Sequence, residues 1–174
     1  METEEMLEIF DGERRPRGYA KTRSEKLGPD EYKVAVGIWV VDANGRLLIT
    51  RRSLDKLYAP GKWENTGGHM RAGEAPVAAV IRELSEETGL NARPEDVRYL
   101  GTAKVWPYFG DNFVTYVDEV EPEVRLQPGE TMDARWVTLD ELDGMMRAGE
   151  MAGSTCSHMA YYREAFEAAV RARA

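Results

Sequence analysis

Three glutamates stand close together in one predicted helix of this 174-residue chain. Glu83, Glu86 and Glu87 are spaced i, i+3 and i+4, so a helix projects all three carboxylates from one face within about 100°. Carboxylates this close repel one another, and near a helix C-terminus the helix dipole is also unfavourable to them. A divalent cation would remove both penalties, and hard oxygen ligands suit Mg²⁺ or Mn²⁺. Three glutamates alone are more often a solvated acidic face of a helix. The neighbouring sequence must therefore decide between such a face and a metal site.

The helix that carries the glutamates is predicted over residues 74–88. Its apolar residues recur at about 100° per residue, which is typical of an amphipathic helix packed on a sheet. Gly89 stands where a glycine commonly ends a helix. The apolar stripe comprises Val77, Val80, Ile81 and Leu84. Such a helix can pack on a sheet and still direct its carboxylates into a groove.

The strands that would position this helix are visible in the pattern of apolar residues. Residues 34–41 are nearly all apolar and β-branched, as expected of a strand buried on both faces. Asp42-Ala43-Asn44-Gly45 predicts a turn into a partner strand over 46–51, followed by a loop over 53–73. Further strands are predicted over 97–105, 112–120 and 134–137, and further helices over 139–148 and 154–173. We therefore expect an α/β (α+β) fold with a mixed central sheet and helices packed on it.

Composition narrows the class of protein. The chain is 43% hydrophobic with a formal net charge of −8, which disfavours bulk attraction to nucleic acid or an anionic membrane. Cys156 is the one cysteine, which excludes a disulfide framework and a cysteine-cluster zinc site. Residues 1–10 lack the apolar core of a signal peptide. We expect a single cytoplasmic domain over 1–174, with a strand-containing N-terminal extension at 1–31 and a C-terminal helix at 154–173.

The context of the glutamates carries a family resemblance. Residues 68–90, GHMRAGEAPVAAVIRELSEETGL, resemble the Nudix box of Nudix hydrolases at every position of its pattern. The matching positions are Gly68, Glu74, Arg82, Glu83, Leu84, Glu86, Glu87, Gly89 and Leu90. The segments AVGIWVVDANGRLLITRR and ARWVTLDEL are also similar to the family. The resemblance covers about residues 33–148 and implies an α/β/α sandwich in which the box forms a loop, a helix and a loop.

The resemblance also implies an activity. Nudix hydrolases cleave a pyrophosphate bond in a nucleoside diphosphate linked to another group, X, with water as nucleophile and Mg²⁺ or Mn²⁺ as cofactor. By position, Glu83, Glu86 and Glu87 would be metal ligands, and one of them would also be the base. The backbone carbonyl of Gly67 would be a further ligand. The implied partner is a small nucleoside diphosphate derivative, with no nucleic acid or membrane.

Supporting and peripheral roles follow from the same resemblance. Gly68, Glu74 and Arg82 would hold the loop and the carboxylates. Arg51 resembles a family arginine that contacts phosphate, although a surface arginine is an equal reading. Glu130 stands where some members place an extra catalytic carboxylate, although a solvated loop glutamate is the commoner case. Four aromatic residues could stack on a base but are more often core, namely Trp63, Trp106, Tyr108 and Phe109.

Two alternatives remain within this resemblance. The flanks are also similar to the isopentenyl diphosphate isomerase branch, whose enzymes need a cysteine just before the Gly68-His69 pair, where this chain has Gly67. A non-catalytic, Nudix-like nucleotide-binding module commonly lacks box glutamates that this chain keeps. Group X is left open, and loops at 53–62, 105–111 and 149–157 would select it. The first thirty residues or the last helix could serve a homodimer.

Overall fold

The computed structural model describes residues 4–173. Nine strands lie within them, with α-helices α1 to α3 and a short 3₁₀ turn at Pro94–Asp96. Strands β1 to β9 are Met6–Phe10, Pro16–Thr22, Lys33–Val41, Leu47–Arg52, Trp63–Glu64, Thr66–His69, Arg98–Val105, Tyr108–Tyr116 and Thr131–Val137. Helices α1, α2 and α3 are Pro76–Thr88, Leu139–Arg147 and Gly153–Arg171.

The central sheet is mixed, because β3 pairs in parallel with β8 while its other pairings are antiparallel. Its strand order is β5-β4-β3-β8-β7, with β6 also on β3 and β9 also on β4. Strands β3 and β4 share only the pair Val41 and Leu47, and from there they diverge to take different partners. Beyond that pair, β3 continues beside β6 and β4 beside β5. Strands β1 and β2 form a separate two-stranded hairpin.

Alternation along β3 builds a core on each face of the sheet. Val34, Val36 and Ile38 pack in the apolar cluster that includes α1. Trp39 and Val41 pack in the opposite cluster, which includes α2 and α3. Successive strand residues point to opposite faces, so a strand that is apolar at both parities must be covered on both. The predicted fold class, an α/β/α sandwich with a mixed central sheet, is confirmed.

The helices begin and end at residues that the sequence marks. Pro76 occupies the first turn of α1, and Gly89 follows the helix with a φ of 72°, a conformation that glycine adopts without strain. Helix α2 begins with a capping box in which the Thr138 and Glu141 side chains bond each other's backbone N–H. Helix α3 bends at Tyr162. Within residues 4–173, none of these helices combines the length and apolar character needed to span a membrane.

Three predicted boundaries are wrong. The segment 53–73, predicted as loop, contains β5 and β6, which form only by pairing with β4 and β3 and carry a Gly-Gly pair of low strand propensity. Strand β8 begins at Tyr108 and ends at Tyr116, four residues ahead of the predicted 112–120, because it follows the register of β3. Strand β9 begins at Thr131 instead of Ala134, since it continues along β4.

Candidate active site

Two glycines bring strand β6 close to both the sheet and helix α1. Gly67 pairs with Gly37 and Gly68 with Val36. A β-carbon at Gly67 would lie less than 3.0 Å from the Val36 carbonyl oxygen, and one at Gly68 would lie less than 3.0 Å from the carboxyl group of Glu83. Any side chain at these positions would therefore displace a neighbour. The glycines leave room for the Glu83 carboxylate to rest against the β6 backbone.

Arg82 ties the loop before α1 to the carboxylates on the helix. Its Nε and Nη2 contact the two oxygens of Glu74, each at 2.9 Å. Nη2 also donates to the His69 carbonyl at 3.1 Å. Nη1 contacts Glu83 at 2.8 Å and Glu86 at 3.3 Å. Burial disfavours the Arg82 charge, but the hydrogen bonds to Glu74 and Glu83 outweigh it and raise the pKa of the guanidinium.

Glu87 is the most buried of the three helix glutamates, with 8% of its surface exposed. Its Oε2 has no hydrogen-bond partner within the described residues. Burial, followed by the negative charges of Glu64, Glu83 and Glu130, raises its pKa well above the ordinary value. Burial also raises the pKa of Glu83, although the hydrogen bond from Arg82 opposes this. Such a carboxylate is costly unless a cation or a proton compensates it.

These carboxylates line a cavity of about 230 Å³, which we call the acidic cavity. Glutamates outnumber cationic side chains in its wall by six to four. The six are Glu5, Glu64, Glu83, Glu86, Glu87 and Glu130, and the four are Arg23, Arg52, Lys56 and Arg71. In the conformation described for residues 4–173, no three His, Cys, Asp or Glu side chains converge as metal ligands. The surplus of carboxylates and the unpartnered Oε2 of Glu87 still fit a hard divalent cation.

A second, larger cavity of about 660 Å³, the main cavity, adjoins the first. It is lined by small β3 residues, Ala35 and Gly37, and by the N-terminal end of α3. Helix α3 packs tightly there, because a β-carbon at Gly110 would lie less than 3.0 Å from the His158 ring. Six residues line both cavities, namely Arg23, Arg52, Glu64, Gly67, Gly68 and His69. The two cavities therefore share a wall.

A family model described as NUDIX domain matches residues 31–154 of this chain. The chain belongs to the Nudix hydrolase family. The predicted resemblance, which depended on the box at 68–90, is confirmed.

Two known proteins resemble the chain along most of its length. An isopentenyl-diphosphate Delta-isomerase of Citrobacter koseri is 30% identical over 158 residues, 87% of each chain. An uncharacterized Nudix hydrolase of Listeria monocytogenes is 30% identical over 151 residues, 84% of this chain and 87% of its own. The chain is thus similar both to a protein named as an isomerase and to one named as a Nudix hydrolase.

Two solved structures share this fold. DR0079 of Deinococcus radiodurans superposes with a TM-score of 0.70 at 21% identity, covering 85% of this chain and 92% of its own. A bifunctional NMN adenylyltransferase/ADP ribose pyrophosphatase of Francisella tularensis, complexed with AMP and a Mn ion, has a TM-score of 0.60 at 20% identity. That match covers 76% of this chain and 41% of the other. Both likenesses concern the fold.

Arg51, expected at the phosphates, lies outside the lining of both cavities. Its Nε donates to the Gly61 carbonyl at 2.9 Å, and its guanidinium lies over the Trp63 ring at 5.8 Å. Arg52 instead lines both cavities. Side chains alternate along β4, and Leu48, which is four residues before Arg52 and so on the same face of the strand, packs in the apolar cluster that includes α1. The alternation therefore directs Arg52 towards the Nudix box and Arg51 away from it.

Glu64 is a site residue that sequence reasoning missed. Its two carboxylate oxygens both accept from the Nη1 of Arg52, at 2.8 and 2.9 Å. Burial raises its pKa, although the Arg52 charge opposes the rise. The one signal in the sequence was that Glu64 follows an aromatic residue, Trp63. The segment becomes a strand only by pairing with β4, so no local pattern marks it. Glu130, predicted as a further carboxylate, lines the acidic cavity and forms an ion pair with Lys56.

The predicted aromatic candidates divide between the cavity and the core. Trp106 and Tyr108 line the main cavity, whereas Trp63 and Phe109 are buried in the two apolar clusters. The ring of His69 lies 5.4 Å from that of Tyr108, and its Nδ1 has no partner in residues 4–173. Burial lowers the pKa of His69 to about 4. This histidine is therefore a neutral part of the cavity wall at neutral pH.

Proposed function

We propose that this protein hydrolyses a pyrophosphate bond in a nucleoside diphosphate linked to another group, with water as nucleophile and a divalent metal as cofactor. The observation that carries the proposal is the shared wall between the two cavities. A diphosphate lying against that wall would face Glu83, Glu86 and Glu87 on one side. Its remaining groups would extend into the main cavity on the other.

The residues that would hold Mg²⁺ or Mn²⁺ are Glu83, Glu86 and Glu87, together with the backbone carbonyl of Gly67. When bound, such an ion neutralises phosphate charge and lowers the pKa of a nearby water. The protein's own groups do the rest. Arg82, fixed by Glu74, holds Glu83 and Glu86 in place. The free Oε2 of Glu87 can accept the proton of the attacking water. Glu130, paired with Lys56, is a further candidate for that role.

The main cavity suits a nucleoside or another polar, ring-containing group. Trp106 and Tyr58 are more than half exposed at its mouth, and an exposed aromatic face can stack on a ring. Asn65 and Asn112 also line it. The Asn112 Nδ2 donates to the Gly110 carbonyl at 2.8 Å, so Asn112 offers its oxygen as an acceptor, while the Asn65 Nδ2 offers a donor. Binding of AMP by the Francisella tularensis structure is consistent with this class of ligand.

The test is phosphate release, through a coupled phosphatase, from a panel of nucleoside diphosphate sugars, dinucleotides, triphosphates and coenzyme A. We expect turnover with Mg²⁺ or Mn²⁺ that stops when excess EDTA is added. Glu86→Gln should remove most turnover, whereas Glu164→Gln, on the exposed face of α3, should not. Undiminished turnover in EDTA would contradict the proposal. Nucleotide binding without turnover would instead indicate a non-catalytic module.

Isomerisation of isopentenyl diphosphate is the second candidate, because the Citrobacter koseri isomerase is 30% identical to this chain. An enzyme of the isomerase branch would need a cysteine at position 67. Here that residue is glycine, and any β-carbon would lie less than 3.0 Å from the Val36 carbonyl oxygen. Cys156 packs against the core cluster below α3 and lines neither cavity. Incubation with isopentenyl diphosphate and product analysis decides this point, since we expect no isomer.

A further inference from the structure

The cationic side chains of the acidic cavity differ in whether they are neutralised. Three of the four form ion pairs with glutamates in the same wall. These pairs are Arg52 with Glu64, Lys56 with Glu130, and Arg71 with Glu5. Arg23 is the fourth, and no carboxylate of residues 4–173 lies within ion-pair distance of its guanidinium. Arg23 is therefore the cation of this wall whose hydrogen-bonding capacity is left for a ligand.

The position of Arg23 indicates that it contacts the diphosphate of a substrate and not the groups at either end of it. Arg23 lines both cavities, so it lies at their junction, and the glutamates of α1 line the acidic cavity with it. A planar guanidinium can donate two parallel hydrogen bonds to a pair of phosphate oxygens. An unpaired positive charge also offsets the acidic surplus that would otherwise repel an anionic substrate.

A buried lysine fixes the backbone that carries Arg23. Lys33 is 2% exposed at the start of β3. Its Nζ donates to the carbonyl of Thr22 at 3.0 Å and to that of Arg23 at 3.1 Å. A buried ammonium must find such acceptors. The end of β2 is therefore held at one place relative to the sheet.

The rest of the N-terminal hairpin is anchored equally well. Leu7 and Ile9 are fully buried, and the Met6 carbonyl accepts a bond from Ala72 N–H at 2.8 Å. Arg14 forms a two-point ion pair with the buried Asp111 of β8. The family model begins only at residue 31, so this hairpin lies outside the matched Nudix domain.

We propose that the N-terminal hairpin completes the catalytic site, with Arg23 binding the diphosphate oxygens of the substrate and Lys33 positioning Arg23. The inference rests on the proposed function, because it assumes that a diphosphate occupies the junction of the two cavities. It assigns a direct part in substrate binding to Arg23, which lies outside the matched domain.

The first test measures binding of inorganic pyrophosphate to the full chain by calorimetry in the presence of Mg²⁺. Arg23→Gln should raise the Kd about tenfold or more, the usual effect of losing a charge-assisted hydrogen bond. Lys26→Gln is the matched control, because Lys26 is exposed in the same segment and lines neither cavity. Equal Kd values for the two variants, or no binding to the wild type, would overturn the proposal.

The second test separates positioning from a general structural effect. Lys33→Met should raise the Kd for pyrophosphate in the wild-type background but add little to Arg23→Gln, because both changes disable the same contact. Fully additive effects on the Kd would show that Lys33 does not act through Arg23. If Lys33→Met does not fold, the comparison of Arg23→Gln with Lys26→Gln still decides the role of Arg23.

The two proposals can fail separately. If the wild type hydrolyses a substrate and Arg23→Gln leaves KM unchanged, the hydrolase stands and the role of Arg23 falls. If nothing in the panel is hydrolysed but pyrophosphate binding depends on Arg23, the anion site stands and the proposed reaction falls. Where both hold, Arg23→Gln should raise KM more than it lowers kcat, as expected of a contact made in the bound substrate.

Discussion

Gly68 and Glu83 are in such close contact that a β-carbon on the glycine would lie less than 3.0 Å from the carboxyl group of the glutamate. The glycine is therefore required by the position of a carboxylate and not by a turn. The same carboxylate accepts a bond from Arg82 at 2.8 Å. One face of Glu83 rests on backbone and the other is held by a guanidinium, which fixes its direction in the acidic cavity.

Gly68→Ala should displace the Glu83 carboxylate and reduce metal-dependent turnover about a hundredfold, because a shift of roughly 1 Å at a catalytic group has that effect. Affinity for Mn²⁺, measured by calorimetry, should fall as well. Gly144→Ala is the control, since no atom lies within 4 Å of its added carbon and alanine favours the α2 helix. Full activity in Gly68→Ala would show that Glu83 has no part in the chemistry.

Glu87→Gln should lower turnover about 10²- to 10⁴-fold, because an amide neither accepts the proton of water nor binds a divalent cation well. Without metal, the same change should raise the Tm. Burial disfavours the Glu87 carboxylate, and neighbouring glutamates add to the penalty, so a neutral amide relieves both. Thermal unfolding in EDTA checks this point. A lower Tm for Glu87→Gln would mean that the charge is already compensated within the protein.

The predictable parts of this molecule are those that local pattern determines. Strand β3 follows from a continuous run of apolar residues and helix α1 from an apolar periodicity of about 3.6 residues. The spacing of Glu83, Glu86 and Glu87 within the box predicts that they share one face of that helix. Strands β5 and β6 depend on partners distant in sequence, so their short segments carry no such pattern. The placement of Arg23 depends on a hairpin folding back against the sheet, which no local signal in residues 16–23 reveals.

Acid should loosen the loop that follows the N-terminal hairpin. Hydrogen bonds from the Gly28 N–H, Lys21 and Tyr19 lower the pKa of Glu31 to about 2, from 4.5. A carboxyl whose folded pKa is lowered stabilises the fold above its unfolded pKa, and this stabilisation is lost as the pH falls from about 4.5 to about 2. The Tm difference between wild type and Glu31→Gln should therefore narrow over that range. A difference that is constant with pH would contradict it.

Tyr162→Phe should lower the free energy of unfolding by about 1 kcal/mol, as expected for a buried hydrogen bond between neutral groups. The Trp39 Nε1 donates to the Tyr162 hydroxyl at 3.1 Å inside the core beneath α3, and phenylalanine would leave that donor unpaired. Tyr161→Phe, its exposed neighbour on the same helix, should have a smaller effect. Urea denaturation distinguishes them, and equal losses would mean that the buried bond adds nothing specific.

Two adjacent arginines give the sharpest test of how β4 contributes to the site. Arg52 lines both cavities and is held by Glu64 at 2.8 Å, whereas Arg51 points to the opposite face and bonds the Gly61 carbonyl. Lysine preserves the charge, but its single nitrogen cannot reproduce both the Nε bond to the Tyr58 carbonyl and the Nη1 contact with Glu64. Arg52→Lys should therefore raise KM about tenfold, while Arg51→Lys should leave it nearly unchanged. A larger rise in KM for Arg51→Lys than for Arg52→Lys would mean that the phosphates approach β4 from the Trp63 side. That result would contradict the assignment of the substrate to the shared wall.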